Sequence, residues 1–177
     1  MARRGFAGAV LVAGLFVAAP LLAEPVSERL FTHKNWMVEI VGFDDGTISC
    51  VAQVVDGDDT FSIWADPANP VKLQFYSSDW DFSGGGSADL NVQVDRRSPW
   101  SLTNAELYQN SVLFNLPGDD ASTSFLMEVV EGRSLHLGSK DGSHVQSYSL
   151  SGSAASINAL IECVNVLGQE DDGNPFN

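Results

Sequence analysis

The chain has 177 residues, 44% of them hydrophobic, with 23 acidic side chains against 9 Lys and Arg and a formal net charge of −14. Four tryptophans and ten phenylalanines supply enough apolar surface for a core, which excludes a disordered acidic segment. The charge makes nucleic acid and anionic lipid poor partners and favours cations or basic peptides, while the length suits one ordinary domain.

The chain opens with Arg3 and Arg4, an apolar run to about Ala19, and a small-residue exit at Leu21-Leu22-Ala23, the three parts of an export signal. Cleavage after Ala23 is expected, giving a signal peptide over 1–23 and a lead segment over 24–35. Loss of two arginines and no acid makes the remainder still more acidic, and no later stretch is apolar enough to span a membrane. An oxidising compartment, the periplasm or the exterior, follows from export. There the two cysteines, Cys50 and Cys163, are expected to pair as a disulfide. Closing so long a loop is worth about 4–5 kcal/mol in the chain-entropy model.

A single β-rich domain is expected over 36–168. Residues 36–43 and 48–55 alternate apolar and polar side chains around the turn Asp44-Asp45-Gly46-Thr47, a hairpin pattern. Further strands are predicted over 60–66 and 71–77, separated by the Pro67 to Pro70 turn. The glycine-rich stretch 80–87 reads as a flexible connection. In 88–95, Leu90, Val92 and Val94 share one face and Asn91, Gln93 and Asp95 the other, so this strand has one wet side. A short strand beginning at Trp100 and another over 111–117 follow.

Asp119 or Asp120 can cap a helix carrying Phe125, Leu126, Val129 and Val130, with Gly132 as its stop. Two strands around Ser139 to Ser143 form a second hairpin. The last helix is predicted to start at Ser151 or Ser153, to bury Ile157, Leu160, Ile161, Val164 and Leu167, and to end at Gly168, with Cys163 on the flank of that stripe. Residues 169–177 read as a flexible acidic tail. The fold class is α+β and mostly β: an antiparallel sandwich or meander with one or two helices, the C-terminal one tied down by the disulfide.

Functional signatures are sparse. The acidic turns at 44–46 and 56–59 lack the alternating carboxylate spacing of a calcium loop. No nucleophile elbow, zinc-protease helix or phosphate loop is present, so no catalytic residue and no cofactor is assigned. A three-residue loop between the last two strands would set His136 directly opposite His144, with Asp141 nearby, which makes a metal-binding or hydrolytic site the alternative reading. Arg96 and Arg97 lie beside Trp100, and with Trp80 they are the candidate binding surface.

The tryptophan-led strand at Trp36, the cysteine on the next strand at Cys50, and the segment Phe125 to Gly132 form a recognisable layout. It ends in Tyr148-Ser149-Leu150, Gly152-Ser153, Ala155, Ile157, Leu160 and Cys163. Over residues 36–167 this layout resembles small exported proteins of the Gram-negative envelope, in particular the invasion-associated locus B family and the type VI secretion-associated accessory family. The resemblance implies a periplasmic β-rich domain with no established active site. The functional expectation is a non-enzymatic module that binds a protein or an envelope component; an acidic inhibitor of a basic secreted enzyme is a further alternative.

Overall fold

The computed structural model describes residues 26–170. The expected signal peptide and the end of the expected tail, residues 171–177, lie outside the described residues. Ten strands and two helices follow one another as β1 (Val26–His33), β2 (Trp36–Gly42), β3 (Ile48–Asp56), β4 (Asp59–Ala65), β5 (Lys72–Ser77), β6 (Ser87–Val94), β7 (Trp100–Tyr108), β8 (Ser111–Asn115), α1 (Asp120–Glu131), β9 (Ser134–Ser139), β10 (His144–Ser149) and α2 (Ser153–Glu170).

All strands belong to one antiparallel sheet in the order β1-β2-β3-β4-β5-β8-β7-β6-β9-β10. The first five strands are a meander joined by tight turns. Gly46 (φ 84°) and Gly57 (φ 63°) occupy left-handed positions in the β2–β3 and β3–β4 turns that a β-carbon disfavours. After β5 the chain crosses to β6 and returns through β7 and β8 to pair beside β5, so β6 is left free to pair with β9. The sheet folds over on itself. Tyr148 of β10 packs 5.8 Å from Phe61 and 6.0 Å from Phe75, across the fold from its own strand. The Trp36 indole donates to the Ser149 carbonyl at 3.0 Å and links β2 to β10.

Period-two alternation decides which side chains enter this fold. Trp36, Val38, Cys50, Ala52, Val54, Phe61, Ile63, Leu73, Phe75, Val92, Val94, Leu135 and Leu137 are all buried on the inner face. Burial of a large aliphatic or aromatic side chain is worth about 1.5–3 kcal/mol, and this inner face is the main stabilising term. Burial raises the Tyr148 phenol far above its ordinary range, with Asp59 and Asp56 adding to the effect, so this ring remains neutral inside the core.

α1 begins as expected: the Asp119 carboxylate accepts from the Ser122 amide at 2.8 Å, and Phe125 and Val129 point inward. α2 packs against α1 and against β1, β2 and β3. Its start differs from the expected serine cap. The first helical bond runs from the Ser156 amide to the Gly152 carbonyl, and the Ser153 hydroxyl donates instead to Val129 at the end of α1. The buried line is Ser153, Ser156, Ile157, Leu160 and Cys163, with Ile161 half in solvent at 52% exposure and the helix running past Gly168 to Glu170. Cys163 is therefore in the buried stripe and not on its flank. Its disulfide with Cys50, Cα atoms 6.2 Å apart, fastens α2 to the inner face of β3.

Three further expectations are corrected. Part of the stretch 24–35 forms the edge strand β1, whose exposed residues carry no alternating pattern. β7 is long rather than short: a bulge at Asn104 (φ 61°), held by its amide on the Asp89 carboxylate at 2.9 Å, shifts the phase so that Leu102 and Ala105 are both buried. The connection at 80–87 is anchored, because Phe82 bridges to Gln109 and Trp80 packs 5.7 Å from Phe82.

Two measurements test this architecture. Replacing both cysteines by Ala is expected to lower unfolding free energy by about 2–5 kcal/mol, read from urea melts of the oxidised and cysteine-free proteins. A β-carbon at Gly132 would collide with the Val94 side chain and come within 2.8 Å of Leu150. Gly132→Ala is accordingly expected to cost about 1–3 kcal/mol by thermal unfolding, although its backbone is in an ordinary region.

Candidate functional site

The outer face of β3, β4, β5 and β8 carries the alternate side chains, which point away from the inner face; of these Val51 and Ser62 are themselves buried. Cross-strand pairing sets Val51, Trp64, Lys72 and Asn115 in one row. Gln53, Ser62, Gln74, Leu113 and Glu106 form the next row. Over this floor lies a groove of about 560 Å³. Phe43 and Asp45 of the β2–β3 turn and Asp66, Asn69 and Pro70 of the β4–β5 turn wall one end, and Tyr108 of β7 stands at the other.

The aromatic floor is held in place by hydrogen bonds. The Trp64 indole donates to the Gln74 side-chain oxygen at 2.7 Å, and the Gln74 amide donates to the Ser111 hydroxyl at 2.9 Å. Phe43 leans on Trp64 with ring centroids 6.1 Å apart. The walls are similarly built. Asp66 accepts from the backbone amides of Ala68 and Asn69, each at 2.9 Å, and Asp45 accepts from the Thr47 amide and hydroxyl. The Thr47 hydroxyl, then its amide, hold the Asp45 carboxyl below its usual range, so this wall is anionic at neutral pH. Phe43 and Tyr108 are 38% and 52% exposed, which leaves their rings open to a ligand. Lys72 and Asn115 complete the floor as exposed polar groups, Lys72 forming no ion pair among the described residues.

A second cluster lies on the β9–β10 hairpin. The expected register is not observed: His136 faces Ser147, His144 faces Gly138, and a bulge at Val145 separates the two registers. The bulge arises because the Ser139 to Ser143 turn closes with its own hydrogen bonds and leaves one extra residue on β10. The two imidazoles nonetheless come together, centroids 6.3 Å apart, on a shared hydroxyl. Ser147 Oγ is 2.7 Å from His136 Nδ1 and 2.8 Å from His144 Nε2. Asp141 does not join them, because its carboxylate is turned into its own loop to accept from Ser139 and Ser143. Among the described residues, no three His, Cys, Asp or Glu side chains are grouped to hold a metal ion.

The surface expected from Trp80, Arg96, Arg97 and Trp100 is divided by the fold. Trp100, at the start of β7, donates to Glu128 of α1 at 2.9 Å and packs on Phe125. Arg97 pairs with Glu131 at 3.0 Å, and Arg96 projects into solvent. Trp80 is bonded through its carbonyl to Asn110, just past the far end of β7, about 25–30 Å from Trp100 along a nine-residue strand. These residues therefore do not share one face. The tryptophan that does line a groove is Trp64, and its place on an alternating strand opposite Ile63 and Phe61 is the signal that it faces outward.

Comparison with known proteins adds no family: no family model matches the chain, and neither a curated protein nor a solved structure matches it.

The hairpin turn carries a pH signature. Hydrogen bonds from the Ser139 hydroxyl and the Ser143 amide lower the Asp141 carboxyl from 3.8 to about 2. The folded pKa is depressed, so the stabilisation is complete above the unfolded value and is lost as pH falls toward about 2. An NMR titration is expected to show the Ser143 amide moving near pH 2, with the transition absent in Asp141→Asn.

Proposed function

We propose that this chain is an exported, non-enzymatic binding module of the periplasm that holds a glycan segment of the cell envelope in the Phe43–Trp64–Tyr108 groove. The observation that carries this reading is the locked Trp64 ring in a polar-walled groove on the outer sheet face. A pyranose presents a face of weakly positive C–H bonds and a rim of hydroxyls. An aromatic face is the electronegative complement of the first, and amide, carboxylate and ammonium groups bond the second. Trp64, Phe43 and Tyr108 supply the rings, while Asn115, Lys72, Asp66 and Asn69 supply the polar rim.

Preorganisation strengthens the case, because Trp64 is held by Gln74 and Ser111 before any ligand arrives and less side-chain entropy is lost on binding. Export is supported by the leader-like first 23 residues and by a disulfide of the kind that persists in oxidising compartments. No helix among the described residues is long and apolar enough to cross a membrane. The resemblance of the layout to exported envelope families supports the same location.

The test uses the disulfide-bonded protein lacking residues 1–23 on an array of envelope-derived oligosaccharides, followed by calorimetry with the best binder. Binding is expected to weaken by about 2 kcal/mol or more in Trp64→Ala and to be unchanged in Arg96→Ala. Absence of any glycan binding at millimolar concentration would overturn the ligand class, and full affinity in Trp64→Ala would overturn the site.

A further inference from the structure

The His136 and His144 cluster lies apart from the groove, on the other half of the sheet, and its hydrogen bonds have a direction. A carboxylate only accepts, so the Ser134 hydroxyl donates to Asp95 Oδ1 at 3.3 Å. Ser134 Oγ must then accept from His136 Nε2 at 3.1 Å, which places the His136 proton on Nε2. In the neutral imidazole this leaves Nδ1 as a lone pair, 2.7 Å from Ser147 Oγ, where His144 Nε2 also converges at 2.8 Å. Asp95 is itself fixed. Burial pushes its carboxyl up, but hydrogen bonds from the Ser134 and Arg133 amides outweigh this and hold it below the ordinary range.

This is the arrangement of a ligating imidazole: one ring nitrogen tied outward through a hydroxyl to a carboxylate, the other presented as a lone pair. His144 is exposed, and its Nδ1 makes no hydrogen bond among the described residues, so it can exchange tautomers with water and offer Nε2. A hollow of about 400 Å³ lined by Asn91, Gln93, Asp95 and both histidines leaves room for coordinated water.

We propose that His136 Nδ1 and His144 Nε2 form an open, two-imidazole site for Cu(II). The ion takes the position of the Ser147 hydroxyl, and water completes a tetragonal shell. Imidazole–metal bonds are about 2.0–2.1 Å long, so the rings close inward by small side-chain rotations while exposed Ser147 turns away. Among divalent first-row ions Cu(II) binds nitrogen donors most tightly and accepts a square arrangement with only two protein ligands. The net charge of −14 raises the local cation concentration, and Asp95, reached through Ser134, balances charge arriving at the site.

The experiment titrates Cu(II) into tag-free, disulfide-bonded protein lacking residues 1–23, read by calorimetry and by electron paramagnetic resonance. One equivalent with hyperfine structure from two nitrogens is expected. His136→Asn and His144→Asn should each weaken binding by at least about tenfold, while His33→Asn leaves it unchanged. Ser147→Ala is expected to bind as tightly as wild type or more tightly, because the hydroxyl is displaced and not a ligand. Metal-free thermal unfolding establishes that each variant is folded. No stoichiometric binding, undiminished affinity in both histidine variants, or loss of the two-nitrogen signal in Ser147→Ala would each overturn the site. Glycan binding by the Trp64 groove is measured separately and is unaffected by these outcomes.

Discussion

The covalent link between Cys50 and Cys163 is the constraint on which the rest of the structure leans. Cys50 is fully buried on the inner face of β3, and Cys163 lies on the buried line of α2. A ten-stranded sheet in which β1 and β10 are the end strands has an apolar inner face that must be covered. Folding the sheet over covers part of that face, and α2 covers the part beside β1 to β3. The disulfide keeps α2 there, and the Trp36 bond to Ser149 holds β10 across the opening beside it.

With the inner face committed to packing, both proposed sites lie on the outer face. The two candidate sites occupy different halves of it, and each is built from residues that alternation turns away from the core. On the β3 to β8 half, bulky outward residues such as Trp64 and Leu113 stand beside short polar ones and make a groove. On the β9–β10 hairpin the bulge at Val145 brings two imidazoles onto one hydroxyl. In both places the key side chain is oriented by a second residue that no ligand needs to touch: Gln74 for Trp64 and Ser134 for His136. Rigidity of that kind limits what ligand binding must order.

How much was legible follows from how each residue makes its contacts. Strands with one buried face, such as β2, β3 and β6, announce themselves by period-two patterning, and α1 by Asp119 and its apolar stripe. β1 could not be read this way, because an edge strand packed mainly through Phe31 has no alternating burial to display. β7 reads as short in the sequence because the bulge at Asn104 breaks the alternation in its middle. Helical spacing marks Ile161 as a core residue, yet it lies just beyond the arc of α2 that faces the sheet.

Class was readable along the chain: a β-rich domain with an outward and an inward face on its patterned strands, a strongly acidic composition, and a cysteine pair expected to join. These are properties of local periodicity and composition, which act over a few residues or over the whole chain at once. Which outward residues meet was settled by the three-dimensional fold. The separation of Trp80 from Trp100, the assembly of Phe43, Trp64 and Tyr108 from three different segments, and the convergence of His136 and His144 all depend on strand order and register. Those depend on turn closure and on a single inserted residue, because one step along a strand reverses the face on which every following side chain appears.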